Sequence, residues 1–81
     1  MFSIMPKALV LMNAELGHET TLVNELKKTP NVTEVYAVYG VYDVIVKVEA
    51  DSMEKLREAI ATRLRKVSGI KSTLTMIIVE G

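Results

Sequence analysis

The chain has no cysteine or tryptophan, only one histidine, and no excess of charge of either sign. Without cysteine, neither a disulfide nor a thiolate metal site can stabilise the fold. Ten basic residues balance ten acidic ones, so the long-range positive field that attracts nucleic acid is missing. The longest apolar runs are five residues, such as residues 8–12, too short for a signal peptide core or a membrane span. We therefore expect a cytoplasmic protein with no direct contact to nucleic acid or membrane.

The composition is that of a small folded domain. Hydrophobic residues make up 49% of the 81 residues and charged residues 25%, a balance typical of a packed core. A chain this short forms one domain, here residues 1–81, and buries only about 60–65% of its unfolded surface. Because no disulfide is available, oligomerisation is the remaining way to gain stability.

Hydrophobic periodicity predicts six elements in the order β-α-β-β-α-β. The predicted strands span residues 7–13, 32–39, 44–49 and 71–80, and the predicted helices span residues 18–28 and 52–69. The apolar side of the second helix consists of Met53, Leu56, Ile60, Leu64 and Val67. Asp51 or Ser52 caps this helix, and Gly69 ends it. With right-handed crossovers, the order predicts an α+β ferredoxin-like fold, a four-stranded antiparallel sheet with two helices on one face.

The strands are apolar on both of their faces. In the first strand Leu9 and Leu11 alternate with Val10 and Met12, and the other strands are similar. The helices of a ferredoxin-like fold cover only one face of its sheet, so the second apolar face must be covered by something else. The sequence therefore predicts dimerisation through the sheet, with a monomer as the less favoured alternative.

No set of residues in the sequence indicates catalysis, a metal or a cofactor. His18 has no cysteine partner and no third metal ligand nearby, and we interpret it as a solvated residue at the start of the first helix. The four glycines are far apart, so no phosphate-binding loop is present. A solvated helix face is the interpretation of the basic residues Lys55, Arg57, Arg63, Arg65 and Lys66. We expect a protein that is not an enzyme.

The turn between the second and third strands carries the most distinctive residues. It brings Gly40, Tyr42 and the lone carboxylate of Asp43 to a hairpin tip, while Thr73 and Thr75 share one face of the fourth strand. One interpretation is an ordinary turn built from a glycine and an aspartate. The other is a small polar site whose backbone groups meet a zwitterion and whose carboxylate pairs with the ammonium group. A charge at a hairpin tip contributes little to the core, so this interpretation predicts that Asp43→Ala loses binding without unfolding.

The pattern as a whole resembles the C-terminal effector domain of the Lrp/AsnC family of feast/famine transcription regulators. The resemblance covers residues 7–80 and rests on the opening strand, the VTEVYAVYGVYD segment at 32–43 and the TLTMII segment at 73–78. The G-x-Y-D tip is the most specific of these. Family members carry an N-terminal DNA-binding helix-turn-helix with no counterpart in this sequence, so we expect a stand-alone effector (RAM) domain.

The resemblance implies a ligand, an assembly and a set of site residues. Domains of the family dimerise through their sheets, dimers join into tetramers or octamers, and a free amino acid binds between dimers as effector. The implied ligand-binding residues are Tyr39, Gly40, Val41, Tyr42, Asp43, Met53, Thr73 and Thr75. We expect an amino-acid-binding module that modulates transcription indirectly, by co-assembly with full-length relatives. The alternatives are a small dimeric ferredoxin-like enzyme, an ACT-like enzyme regulator and a purely structural assembly unit.

Overall fold

The computed structural model describes residues 5–80, which follow the predicted β-α-β-β-α-β order. The first helix and the strands are α1 (Glu19–Lys27), β1 (Lys7–Ala14), β2 (Val32–Ala37), β3 (Val44–Glu49) and β4 (Ile70–Ile78). The second helical segment consists of α2 (Met53–Glu58), a π-helical turn (Ala59–Arg63) and a 3₁₀ turn (Leu64–Lys66). Within residues 5–80 there is no helix whose length and hydropathy would let it cross a membrane.

The four strands form one antiparallel sheet in the order β2-β3-β1-β4. At one end of the central strand β1, Lys7 pairs with Ile78 of β4. Near the other end, Met12 pairs with Val44 of β3 and with Thr73 of β4. The tip of the β2–β3 hairpin and the start of β4 therefore lie at the same end of the sheet. This topology confirms the predicted ferredoxin-like fold.

The core lies between the helices and one face of the sheet. Alternate residues of β1 and β3 point toward the helices, because successive side chains of a strand lie on opposite faces. The buried residues of these two strands are Ala8, Val10, Met12, Ala14, Val44, Val46 and Val48. The helices add Leu22, Leu26, Leu56, Ala59 and Leu64. Two helices thus cover one face of the sheet, as predicted.

The other face of the sheet, which we call the open face, is also apolar. Its apolar side chains are those of Leu9, Leu11, Tyr36, Ile45, Leu74 and Met76. Leu74 is 46% exposed and Met76 is 44% exposed, whereas Leu9 and Leu11 are half-buried by their neighbours on the sheet. The prediction of strands with two apolar faces is confirmed, and no element within residues 5–80 covers the open face.

The second helical segment departs from the regular helix that the sequence predicts. Its start is as expected, since the Ser52 side chain accepts a hydrogen bond from the Lys55 amide at 3.2 Å. A π turn follows, whose hydrogen bonds span five residues instead of four. Along it Ala59 is buried, and Ile60, predicted as a core position, is half-buried and packs against the core.

Candidate functional site

The hairpin tip extends beyond the sheet into solvent. Strand β2 ends at Ala37 rather than at residue 39 as predicted, and the Val38 amide donates to the Asp43 carbonyl at 2.8 Å to close the turn. Beyond that hydrogen bond, the side chains of Tyr39 and Val41 are almost wholly exposed. Solvent-facing apolar side chains on a turn are costly to leave uncovered, and they are typical of a surface that meets a ligand or another protein.

Gly40 occupies a position that the single chain does not require to be glycine. Its φ is outside the left-handed region, and a Cβ added to it would meet no atom of residues 5–80 within 4 Å. Gly69 is the opposite case, because its φ is +91° and an added Cβ would lie 3.0 Å from the His18 Cβ. The fold therefore explains Gly69 but leaves open space at Gly40, where a ligand or a second molecule can approach the backbone closely.

Asp43 is tied to the central strand and is not the free tip carboxylate that the sequence suggested. Its amide donates to the Met12 carbonyl at 2.9 Å, and its Oδ2 accepts a hydrogen bond from the Ala14 amide at 2.9 Å. The side chain is half-buried. The expectation that this carboxylate contributes little to the fold is therefore corrected, since it fastens the hairpin to the end of β1. This bond engages Oδ2, so the same carboxylate retains a second oxygen with acceptor capacity.

Thr73 and Thr75 line a groove between β4 and the second helical segment. They lie on the helix-facing side of β4, since they pair with the buried residues Met12 and Val10 of β1. The groove has a volume of about 860 Å³ and an apolar wall that includes Ile60. Because β4 is an edge strand that the helices cover only in part, both threonines remain exposed.

The structure groups some of the eight predicted site residues and separates others. Asp43 and Thr73 lie at the same end of the sheet on either side of β1, so two strand spacings, about 10 Å, separate them. Met53 begins the helix that follows the far end of β3. The length of β3, about 17 Å, therefore separates Met53 from Asp43. Within one chain, the tip and the threonines therefore lie on opposite sides of β1, and Met53 is too far away to contact a ligand bound at the tip.

A polar cluster on the open face was not singled out in the sequence. Tyr36 donates a hydrogen bond to Glu34, and the Lys47 ammonium lies 3.4 Å from Glu34 Oε2. The hydrogen bond from Tyr36, and next the contacts with Lys47, lower the pKa of Glu34 below its usual value. The same hydrogen bond and the negative charge of Glu34 raise the pKa of Tyr36. The sequence signal was opposite charge at 34 and 47 on adjacent strands of one hairpin.

Among residues 5–80, no three histidine, aspartate or glutamate side chains gather as metal ligands. The groove, in contrast, contains three cations that sequence reasoning did not assign to a site, Arg57, Arg65 and Lys71. A signal was available, because residues 57, 61 and 65 are spaced to share one side of a helix. The sequence alone did not show which side of this helix faces the uncovered edge of the sheet.

Comparison with known proteins identifies relatives over nearly the whole chain. The sequence model of the Lrp/AsnC ligand binding domain matches residues 7–81. The crystal structure of FFRP-DM1 superposes with a TM-score of 0.86 at 41% identity, covering 93% of this chain and 100% of that one. A homocitrate synthase of Sulfurisphaera tokodaii is 37% identical over 91% of this chain and 16% of its own length. The HTH-type transcriptional regulator FL11 of Pyrococcus furiosus is 29% identical over 90% of this chain and 48% of its own length.

The two curated relatives are longer proteins, of which this chain spans 16% and 48%. The element order, the sheet topology and the match over residues 7–81 agree with one another. The chain belongs to the Lrp/AsnC ligand-binding domain family.

Proposed function

We propose that this chain is an amino-acid-binding regulatory module that acts as an oligomer and modulates transcription by co-assembly with full-length Lrp/AsnC regulators. The observation that carries the proposal is the match of residues 7–81 to a ligand-binding domain. Similarity to a transcriptional regulator over 90% of the chain supports a regulatory role. An 81-residue chain whose charges balance is poorly suited to bind DNA alone, which favours an indirect action.

The amino acid binds at the hairpin tip in this proposal. Gly40 leaves its backbone open to close approach, and Asp43 offers a carboxylate oxygen to an ammonium group. Thr73 and Thr75 supply hydroxyl groups that can donate or accept. Within one chain β1 lies between the tip and the threonines, so in this proposal the two sets of contacts come from different copies.

Dimerisation covers the open face. Leu9, Leu11, Leu74 and Met76 form a continuous apolar surface on the two neighbouring strands β1 and β4. Burying such side chains against a second copy stabilises the pair by about 25 cal/mol for each Å² removed from water. The hairpin tips then remain free at the ends of the dimer for contact with further dimers, which builds tetramers or octamers.

A second candidate is regulation of an enzyme instead of transcription. It is favoured by the 37% identity to part of a homocitrate synthase, which indicates that a domain of this kind also occurs within an enzyme chain. The two candidates share the ligand site and differ in the partner. Capture of a full-length Lrp/AsnC regulator in mixed oligomers supports the first, and a ligand-dependent change in the activity of a biosynthetic enzyme supports the second.

The test is thermal unfolding of the chain against the twenty amino acids at millimolar concentration, with light scattering on the same samples. A ligand at a hundredfold excess over its dissociation constant stabilises the native state by about 2.7 kcal/mol. For a domain of this size that stabilisation raises the melting temperature by roughly 10–20 °C. A shift restricted to one or a few amino acids, accompanied by a change in mass, supports effector-linked assembly.

Two variants locate the site. The Cβ that Gly40→Ala adds meets no atom of residues 5–80, so this variant should melt at the parent temperature without ligand and lose the ligand-induced shift. Asp43→Asn keeps an acceptor for the Ala14 amide and removes the charge that pairs with an ammonium group. Asp51→Asn is the matched control, because Asp51 is exposed at the opposite end of the sheet. A ligand shift that survives in Gly40→Ala and Asp43→Asn alike would exclude the tip as the site.

A further inference from the structure

The end of β1 lies between the hairpin tip and the start of β4 and is hydrogen-bonded to both. The Ala14 amide donates to Asp43 Oδ2 at 2.9 Å, and the next amide, that of Glu15, donates to the Gly69 carbonyl at 2.8 Å. Successive amides of an extended chain point to opposite sides, so one of them meets the tip and the other meets the turn before β4. Two neighbouring residues thus connect the tip with β4, which lie on opposite sides of β1.

The first of these hydrogen bonds replaces a backbone bond that the sheet does not supply. The pairing of β1 with β3 ends at Met12 and Val44, because the hairpin tip comes directly before β3. Ala14 lies further along β1 and is only 8% exposed, and among residues 5–80 its amide finds its acceptor in the Asp43 carboxylate. An unpaired amide in such a position is costly, so the placement of the tip and of Ala14 depend on each other.

The second hydrogen bond lies beside an irregularity of the sheet. Between Asn13 and Ala14 the register with β4 shifts, so that Lys71 is an extra residue on β4. Such a β-bulge bends the strand and re-aims the side chains near it. The bond to Gly69 holds the chain just before the bulge, and Thr73 lies just after it. A change in this bond therefore acts on the bulge that positions Thr73.

In the proposed assembly these two ends of the connection belong to different ligand sites. Each copy supplies its tip to one site and its threonines to another. An ammonium group on the second oxygen of Asp43 would share a charge that now favours the bond from the Ala14 amide. The ligand and Ala14 then interact with one carboxylate, so binding at the tip changes the strength of the first hydrogen bond.

We propose that the amides of Ala14 and Glu15 form a relay between the tip and the bulge of β4, through which occupancy of one ligand site changes the affinity of the next. The inference rests on the proposed function and adds cooperativity to its assembly. Both residues have a positioning role, since they act through Asp43 and Gly69 and do not contact the ligand. Coupling between two sites is reciprocal, so a change at Gly69 must reach the tip and a change at Asp43 must reach Glu15.

The test begins with Glu15→Pro, which removes the amide that donates to Gly69. The substitution keeps the Glu15 carbonyl, which accepts a hydrogen bond from the His18 amide at 2.9 Å and closes the following turn. Ala14 belongs to a strand, and an extended conformation is the one that a residue before proline prefers. The variant therefore breaks the second bond of the relay and leaves its neighbours in place.

The measurement is amide hydrogen exchange of the chain without ligand, followed by NMR. The Val38 amide reports on the tip, because it donates to the Asp43 carbonyl. We expect it to exchange about twofold to tenfold faster in Glu15→Pro than in the parent, the range for coupling through a network of contacts. Each rate is divided by that of the Val10 amide, in the buried centre of β1, which corrects for a change in overall stability.

Leu16→Pro is the matched control. It introduces the same residue one position later, where the amide donates no hydrogen bond to any of residues 5–80. Gly17 follows with a φ of +84°, as in a turn that favours proline at the position before the glycine. The inference is overturned if Glu15→Pro leaves the relative rate of Val38 unchanged, or if Leu16→Pro raises it as much.

Asp43→Ala tests the relay in the opposite direction. The Glu15 amide should exchange faster relative to Val10, although its hydrogen bond is to Gly69 and not to Asp43. If Glu15→Pro does not fold, this result alone decides, and an unchanged relative rate of the Glu15 amide overturns the inference. No ligand is present in either experiment, so a failure of the relay is observed separately from a failure of amino-acid binding.

Discussion

Replacement of Asp43 by alanine should destabilise the domain itself, apart from any effect on a ligand. The substitution removes the acceptor of the Ala14 amide, a hydrogen bond of 2.9 Å in a partly buried position. A hydrogen bond to a charged group contributes about 1.5–3 kcal/mol, and solvent near this site favours a loss of about 1–2 kcal/mol. For a domain of this size the melting temperature should fall by roughly 5–15 °C. Asp43→Asn retains an acceptor and should lose about half as much.

The assay is urea and thermal unfolding of the parent, Asp43→Ala and Asp43→Asn at one protein concentration, because dissociation of an oligomer also shifts the apparent stability. Hydrogen exchange of the Ala14 amide reports the bond directly and should be fastest in Asp43→Ala. If Asp43→Ala melts at the parent temperature and the Ala14 amide stays protected, the carboxylate does not fasten the hairpin to β1. In that case the tip would be positioned by its backbone hydrogen bonds alone.

Three further predictions concern other parts of the fold. Tyr36→Phe removes the largest cause of the lowered Glu34 pKa, so that pKa should rise toward its usual value in an NMR titration. In the parent, ionised Glu34 stabilises the fold at pH values above the usual carboxyl pKa. This stabilisation is lost as the pH falls through the lowered pKa of Glu34. Over the same pH range, Tyr36→Phe should lose less stability than the parent. Gly69→Ala should lower the free energy of unfolding by about 1–2 kcal/mol, since its φ is +91° and its Cβ would press on His18. Leu74→Asp places a charge on the open face and should yield monomers in sedimentation analysis.

The sequence was sufficient for the fold because most of its signals are local. Alternation in the strands, the stripe Leu22 and Leu26 in α1, and Gly69 after the second helical segment each indicate their element without reference to distant residues. The π turn could not be predicted, because the spacing of Leu56, Ile60 and Leu64 also fits a regular helix. Packing against the sheet decides between the two, and that packing involves residues far away in the chain.

The candidate site was predicted in part, for a similar reason. The tip stands out by composition, and no contact within residues 5–80 requires a glycine at position 40. The hydrogen bond between Asp43 and Ala14 joins residues 29 positions apart, so no local sequence pattern predicts it. The groove beside β4 depends on which strand lies at the edge of the sheet, and only the assembled topology turns Arg57 and Arg65 from an ordinary helix face into the lining of a site.

The pairing of the first strand with the last has a consequence for protein engineering. Lys7 and Ile78 are partners in the sheet, so the start of β1 and the end of β4 lie side by side, at the end of the sheet opposite the hairpin tip. A linker of a few residues could join them, and new termini could be opened in the exposed tip between Tyr39 and Val41. Such a circular permutant would keep every strand pair of the sheet while cutting the loop that we propose binds the effector. It would separate the requirements of folding from those of ligand recognition without changing a single residue of the core.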